Sequence, residues 1–303
     1  MRILIVGFGV QGRKRHHVAG NTVVGIVDPV AVQAQFKTID EVPLECYDAA
    51  CVCVPDAAKW PVLRYLLSHG KHVLVEKPLW IQPDEILELK RLSVKNQAAC
   101  YTAYNHRFEP HIATLQRLLS EGTLGKPYLA RFFYGNGTAR DVRNSVWRDK
   151  GIGVIADLGS HLLDLSNFLF GQPDASPQLW NYNRFENQAP DHASFGLVGS
   201  LSQEMCVTFL SWRNTFSLDV FGELGSAHIQ GLCKWGPSLL TLRGRVMPSG
   251  RPQESVETLE MPDPTWQIEH EHFLHLCAEA GNNLDNDLWI QSQIHHLSKT
   301  FQS

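Results

Sequence analysis

The feature that most constrains this chain is a glycine turn close to its first residue. Gly7-Phe8-Gly9-Val10-Gln11-Gly12 follows directly on the apolar run Ile3-Leu4-Ile5-Val6. A run of that kind without alternation predicts a strand buried on both faces. The glycines then supply a tight turn, a close approach of backbone to a pyrophosphate, and packing of a helix on the strand. The helix that follows presents unbonded N–H groups and the positive end of its dipole to the phosphates. Residues 22–27 predict a second strand, which ends at Asp28-Pro29. A carboxylate there accepts hydrogen bonds from the adenosine ribose hydroxyls and repels a 2′-phosphate, which favours NAD over NADP. Arg13, Lys14 and Arg15 pull the other way, because a cation beside the adenosine pocket tolerates that phosphate. The plainer reading of these three is solvated charge on a surface helix, and NADP stays as the alternative cofactor.

The rest of the first hundred residues keeps the same rhythm. Strands are expected at 49–54, 72–75 and 98–104, with helices at 11–19, 57–68 and 83–97. Pro83-Asp84-Glu85 places proline and acids in a first helical turn. This β-α alternation predicts a doubly wound, mostly parallel sheet of the Rossmann type. After about residue 104 the pattern changes. Helices are expected at 110–120 and 156–170, and a strand at 128–134. Short strand-like runs follow at 179–185, 193–198, 204–212, 217–222, 227–230 and 239–242, and the last forty residues are helical. The expected fold is therefore an α/β dinucleotide-binding domain over 1–104. An α+β domain with a large, mostly antiparallel sheet follows over 105–303.

Bulk composition excludes several classes. The 303 residues carry 27 Lys+Arg against 31 Asp+Glu, a net charge of −4, so no basic field points to nucleic acid. No apolar stretch approaches the roughly 18 residues that span a bilayer, so no membrane role is expected. The first strand begins so early that a signal peptide has no room, and a cytoplasmic protein is expected. The seven cysteines lie mostly among apolar residues and include no Cys-x-x-Cys pair. They read as small core side chains in a reducing compartment. His270, His272 and His275 invite a metal reading, but no His-Glu-x-x-His pattern exists, and no metal is expected.

Two further motifs carry chemistry. Glu76-Lys77-Pro78 follows the apolar run 73–75, which sets Lys77 just beyond the C-terminal end of a strand, where sites on open α/β sheets gather. An ammonium there can hold a substrate hydroxyl and stabilise the alkoxide as hydride leaves. A surface lysine in a loop is the bland alternative. Asp157, His161 and Asp164 share one face if 156–170 is a single helix. A histidine steadied by a carboxylate one turn away can shuttle a proton; a helix cap with an ordinary polar contact is the alternative. Arg140, Arg143, Arg148 and Lys150 could clamp an anionic group, although all but Arg148 read first as solvated loop. Asn136-Gly137 is a turn signal.

Taken together these motifs resemble the Gfo/Idh/MocA family of sugar and inositol oxidoreductases. The matching elements are the glycine turn, Val54-Pro55, Glu76-Lys77-Pro78 and Tyr104-Asn105-His106-Arg107-Phe108. They continue with Trp147-Arg148, Gly151-Ile152-Gly153 and Asp157-Leu158-Gly159-Ser160-His161-Leu162-Leu163-Asp164. The resemblance implies that Gly7, Gly9, Val10, Gln11, Gly12, Asp28, Pro55, Glu76, Lys77 and Asn105 hold the dinucleotide. It implies that Lys77 contacts the reacting hydroxyl and that His161 accepts the proton. Asp157 would orient His161 or the substrate, Arg148 would join the substrate site, and Arg107 would lie close by. It further implies a sugar-type small-molecule substrate and a homodimer or homotetramer formed through the outer face of the second sheet.

Two departures stand out. Only 20 residues separate Asp28 from Ala49, so the helix the family carries there is shortened to about 31–35. Only two glycines stand at 151–153, where a third is common. Three other readings stay open on the same fold, the last of which would not need the Asp157/His161 pair. One is a hidden-redox hydrolase or epimerase with tightly held NAD, another is a non-catalytic dinucleotide sensor, and a third is biliverdin-type or imine reduction.

Overall fold

The structure, a computed structural model, describes residues 1–145, 148–173 and 175–299. The chain forms two compact units. The first comprises Met1–Asn105 with Thr265–Gln291, and the second His106–Pro264 with the residues after Gln291.

In the first unit, β1 (Ile3–Val6), β2 (Val23–Val27), β3 (Ala49–Val52), β4 (His72–Glu76) and β5 (Cys100–Ala103) form one sheet in the order β2-β1-β3-β4-β5. Every pairing is parallel. β1, β3 and β5 are buried at every position, as strands covered on both faces must be. Strand order reverses at β1, so the crevice beyond its C-terminal end is the switch point where such sheets bind ligands. Helices α1 (Val10–Ala19), α2 (Asp56–Ser68) and α3 (Pro83–Lys95) alternate with the strands. In α3, Gln82 and Glu85 close a capping box around Pro83, which accounts for the sharp start there.

The unit is completed by residues distant in sequence. The expected single domain over 105–303 does not hold as a continuous block, because α7 (Thr265–Glu279) and the start of α8 (Leu284–Lys299) return to the first unit. Asn283 Oδ1 accepts from Thr102 N at 2.8 Å, and Thr102 Oγ1 donates to Asp287 at 2.7 Å. Periodicity marks these helices as helices but carries no address for their docking. A second difference lies at 31–35, where turns and an isolated bridge between Val27 and Phe36 replace the expected short helix. Gln35 Oε1 accepts from Ile26 N at 2.8 Å, tying this segment to β2 as an extended loop.

In the second unit, α4 (Pro110–Ser120) precedes β6 (Pro127–Gly135). A short α5 (Ala139–Arg143) follows, and a π turn (Ile155–Gly159) leads into α6 (Ser160–Phe170). The strands are β7 (Pro177–Asn183), β8 (His192–Leu197), β9 (Ser202–Thr208), β10 (Thr215–Gly222), β11 (Gly225–Gln230), β12 (Ser238–Gly244) and β13 (Glu254–Leu259). They join β6 in one eight-stranded sheet ordered β13-β12-β11-β10-β6-β9-β8-β7, antiparallel except where β6 meets β9. Alternation is clean along β10: Phe216, Leu218 and Val220 point to the core, and Ser217 and Asp219 point outward. The outer face is mixed: Arg131 pairs with Glu204 and Arg243 with Glu254, and Phe133 and Phe221 share it.

All seven cysteines are thiols. Cys51, Cys100, Cys233 and Cys277 are buried, and burial raises each of them, to about 12 for Cys51. Among the described residues no helix is long and apolar enough to cross a membrane.

Candidate active site

The glycine turn is built for an anion. Gly7 N donates to Val27 O at 2.8 Å, which ties the turn to the end of β2. Gly7 has φ +89°, and a Cβ there would lie 2.5 Å from the Cys53 carbonyl oxygen. A Cβ on Gly12 would run into the carbonyl oxygen of Gly7, so helix and turn touch through bare backbone. Gly9 differs: a Cβ there meets nothing within 4 Å. Gly9 is also the N-cap of α1 and offers no side-chain cap, so the first-turn N–H groups of Val10, Gln11 and Gly12 have no intrahelical acceptor. Open space above a glycine, facing a helix N-terminus, fits a dinucleotide pyrophosphate.

Asp28 sits at the end of β2 as expected, and it already has work. Its Oδ2 accepts from Phe8 N at 2.7 Å, and its Oδ1 accepts from Val30 N at 2.8 Å and Ala31 N at 2.7 Å. Burial opposes its ionisation, but these three N–H bonds outweigh it and hold the carboxyl below its ordinary range. A carboxylate has about four lone-pair sites, so acceptor capacity remains for a ribose hydroxyl.

The basic run resolves unequally. The plain reading places Arg15 among solvated charges; it is instead buried, with 1% exposure. Its guanidinium meets Glu76 at 2.7 Å and Glu269 at 2.7 Å, and lies over the Trp266 ring at 4.4 Å. Burial disfavours its charge, but the two carboxylates win and hold its pKa above the ordinary arginine value. Lys14 covers the same ring at 4.8 Å, and Arg13 lies 6.0 Å from Phe8. Glu76 is therefore engaged by Arg15. Glu269 lies 254 residues away in sequence, so nothing local could announce this buried pair.

Lys77 is half-buried just past β4, and the Lys77-Pro78 peptide is cis. Beneath it lies a residue that sequence reasoning passed over. Lys59 is 2% exposed; its Nζ donates to Pro78 O at 2.5 Å and meets Asp56 at 2.7 Å. Burial lowers its pKa, and Asp56 restores part of the loss. Pro55 is exposed as the N-cap of α2, and Asn105 donates through Nδ2 to Thr265 Oγ1 at 3.0 Å.

The second unit holds the other candidates. The helix expected over 156–170 is present, but its start is wound as the π turn Ile155–Gly159, whose wider i→i+5 winding shifts Asp157 relative to His161. Asp157 takes the Arg148 guanidinium at 3.0 Å, and both side chains are partly exposed. Trp147 lies outside the described residues. Asp164 is fully buried and takes Arg107 through two bonds, Nε to Oδ2 at 2.8 Å and Nη2 to Oδ1 at 2.5 Å. His161 stacks on His106, with ring centroids 4.0 Å apart and planes 16° from parallel. Tyr134 lies against both histidines and stacks on Trp235 at 5.6 Å. Burial and the charge of Asp157 raise the Tyr134 phenol well above its ordinary value. Tyr134 and Trp235 carried no sequence signal, because an aromatic residue in a strand reads first as core.

The turn before α6 is pinned by its surroundings. Val154 N donates to Pro190 O at 2.9 Å, and Gly153, at φ +48°, leaves no room for a Cβ beside that oxygen. Arg143 meets Glu186 at 3.7 Å on the surface. His270 is buried, His272 lies edge-on to Tyr101, and His275 faces Glu279 at 3.4 Å, so the three histidines have separate surroundings.

Comparison with known proteins agrees with these two units. A family model described as an oxidoreductase family with an NAD-binding Rossmann fold matches residues 1–104, and a GFO/IDH/MocA C-terminal domain model matches residues 112–228. The chain is 28% identical over 190 residues to the uncharacterized oxidoreductase YdgJ of Escherichia coli (strain K12), covering 57% of this chain and 54% of that protein. It is 30% identical over 127 residues to the scyllo-inositol 2-dehydrogenase (NADP(+)) IolW of Bacillus subtilis (strain 168), covering 41% and 35%. These matches span between a third and about half of the length of the relatives. Among solved structures, levoglucosan dehydrogenase in complex with NADH and levoglucosan superposes with a TM-score of 0.82 at 17% identity, covering 100% of this chain and 98% of that one. UDP-N-acetylglucosamine 3-dehydrogenase GnnA from Acidithiobacillus ferrooxidans superposes with a TM-score of 0.78 at 20% identity, covering 98% and 95%. At such identities the superpositions speak for the fold alone. Both family models, together matching more than two thirds of the sequence, establish that this chain belongs to the Gfo/Idh/MocA family of NAD(P)-dependent oxidoreductases.

Proposed function

We propose that this protein transfers a hydride between a nicotinamide cofactor and a secondary alcohol or ketone of a sugar, cyclitol or sugar derivative, with NAD as the preferred cofactor. The observation that carries this reading is the cradle at the start of α1, with open space over Gly9 and no side-chain cap. When bound, the nicotinamide accepts or donates the hydride. Gly7, Gly9, Val10, Gln11 and Gly12 hold the pyrophosphate through backbone, and Asp28 takes the ribose hydroxyls. Pro55, Glu76, Lys77 and Asn105 complete the cofactor side. The preference for NAD is supported by the ionised state of Asp28. It is supported too by the two carboxylates on Arg15, which take that cation out of competition for a 2′-phosphate.

On the substrate, the Lys77 ammonium holds the reacting hydroxyl and stabilises negative charge on its oxygen. His161 accepts the proton in oxidation and returns it in reduction. Asp157 and Arg148 form one polar unit that orients the substrate and His161. The outer face of the second sheet joins copies of the chain into a homodimer or homotetramer, which light scattering would test. The expected cytoplasmic setting belongs to the same proposal.

The first test is calorimetric titration of the purified protein with NADH and, separately, NADPH. NADH binding the tighter supports the assignment of Asp28 and opens a screen of sugars and polyols for NAD reduction. Tighter NADPH binding would overturn the NAD preference. Binding of neither, with no nucleotide retained through purification, would overturn the oxidoreductase reading. Lys77→Ala should lower turnover by about 100-fold or more while leaving NADH affinity near wild type. Equal loss of both would remove Lys77 from its assigned role.

A further inference from the structure

The Tyr104-Asn105-His106-Arg107-Phe108 segment does more than follow β5. Asn105–Phe108 is one 3₁₀ turn, and two adjacent residues of it grip α6. The His106 ring lies flat on His161 at 4.0 Å. Arg107 closes two bonds on Asp164 and lies over the Phe168 ring at 5.2 Å. His161, Asp164 and Phe168 stand at i, i+3 and i+7, a single stripe along the helix. His106 is itself boxed in: Tyr134, Phe216 and Trp235 surround its ring at 5.2, 6.1 and 6.2 Å, and it is 1% exposed.

α6 is entered through a π turn, whose wider winding sets the direction in which His161 leaves the helix. Any turn of α6 about its axis would carry the His161 ring with it, because the ring stands out from the axis. We infer that His106 is the positioning residue for His161, setting the plane of its ring by stacking, and that Arg107 locks the rotation of α6 through Asp164 and Phe168. This rests on the assignment of His161 as the proton acceptor. A flat partner suits that task. It restrains the ring without occupying a ring nitrogen, and its π face tolerates the imidazolium formed when His161 takes a proton.

The test uses the full chain with His106→Ala and His106→Phe, and His106→Leu in case the alanine variant does not fold. Two readouts are taken. The first is the ¹⁵N and ring-proton resonances of His161, assigned by comparison with His161→Gln, which need no substrate. The second is kcat and KM for any polyol found by the screen. Loss of the flat partner should change the through-space contacts that the His161 ring-proton resonances make with Tyr134, beyond the ring-current shift that removal of any stacked ring produces, and His106→Phe should keep those contacts. Turnover should fall about 10- to 100-fold in His106→Ala or His106→Leu with KM within about threefold, and His106→Phe should recover most of it. Unchanged contacts of the His161 ring protons with Tyr134 in His106→Ala or His106→Leu would overturn the inference. So would equal loss in His106→Phe and the non-aromatic variants. If no substrate turns over with the wild-type chain, the functional reading fails, and the resonances still decide whether His106 sets the His161 ring.

Discussion

A methyl group at Gly9 would meet nothing within 4 Å, whereas one at Gly12 would collide with the Gly7 carbonyl oxygen. The two glycines therefore separate cofactor binding from folding. Gly9→Ala should unfold within about 0.5 kcal/mol of wild type, yet lose about tenfold or more in dinucleotide affinity as the methyl enters the phosphate space. Gly12→Ala should cost about 1–3 kcal/mol or more in stability by overpacking helix against turn. Urea titration with and without NADH checks both. Lys59 offers a pH test. Burial, partly offset by Asp56, sets its folded pKa below the ordinary 10.5. Between the folded value and 10.5 the unfolded chain binds more protons, so Lys59 makes stability rise with pH across that window. Urea midpoints of wild type relative to Lys59→Met should therefore climb from pH 8 to pH 10.5. A difference that stays flat with pH would contradict the buried, charged lysine.

At the scale of elements, β-α alternation and the apolar runs made β1 to β5 legible, because buried parallel strands leave little else for a sequence to say. α4 is found at Pro110–Ser120, the expected bounds, since Pro110 starts it and Gly122 follows it. β13 escaped notice because Glu254–Leu259 is an edge strand exposed along most of its length and lacks an inward stripe. The helix expected at 31–35 gave way to turns, because Asp28 uses Oδ1 to bend the chain at Val30 and Ala31. The π turn was illegible for a different reason. Its residues have ordinary helical composition, and the extra residue per turn is set by contacts such as Val154 N to Pro190 O. The site motifs Lys77 and His161 could be read as candidates; His106, Tyr134 and Trp235 could not, since each acts through a partner far away in sequence, and Lys59 could not, since a lysine in a helix reads first as solvated charge. The α1–α7 pairing makes a further prediction. Arg15→Met leaves Glu76 and Glu269 in a buried place without their cation and should cost about 3–5 kcal/mol. Adding Glu269→Gln should recover part of that loss, which a double-mutant cycle in urea would measure.

For the whole molecule, the first unit is discontinuous: Thr265–Gln291 completes what Met1–Asn105 begins. Without the late segment, Arg15 loses Glu269, Thr102 loses Asn283 and Asp287, and Asn105 loses Thr265. A fragment of residues 1–105 should therefore lack a cooperative thermal transition and bind NADH poorly. The same fragment joined by a flexible linker to residues 265–291 should show both transition and binding. Circular dichroism melts and NADH fluorescence would decide, and a cooperatively folded 1–105 fragment would contradict this account. The same discontinuity sets an order in time. During synthesis the glycine turn leaves the ribosome well before α7, so the carboxylate that neutralises Arg15 from α7 emerges only after the whole second sheet. The nucleotide unit is thus begun first and closed last, and for most of the interval its buried cation waits half-paired while the inserted unit is made.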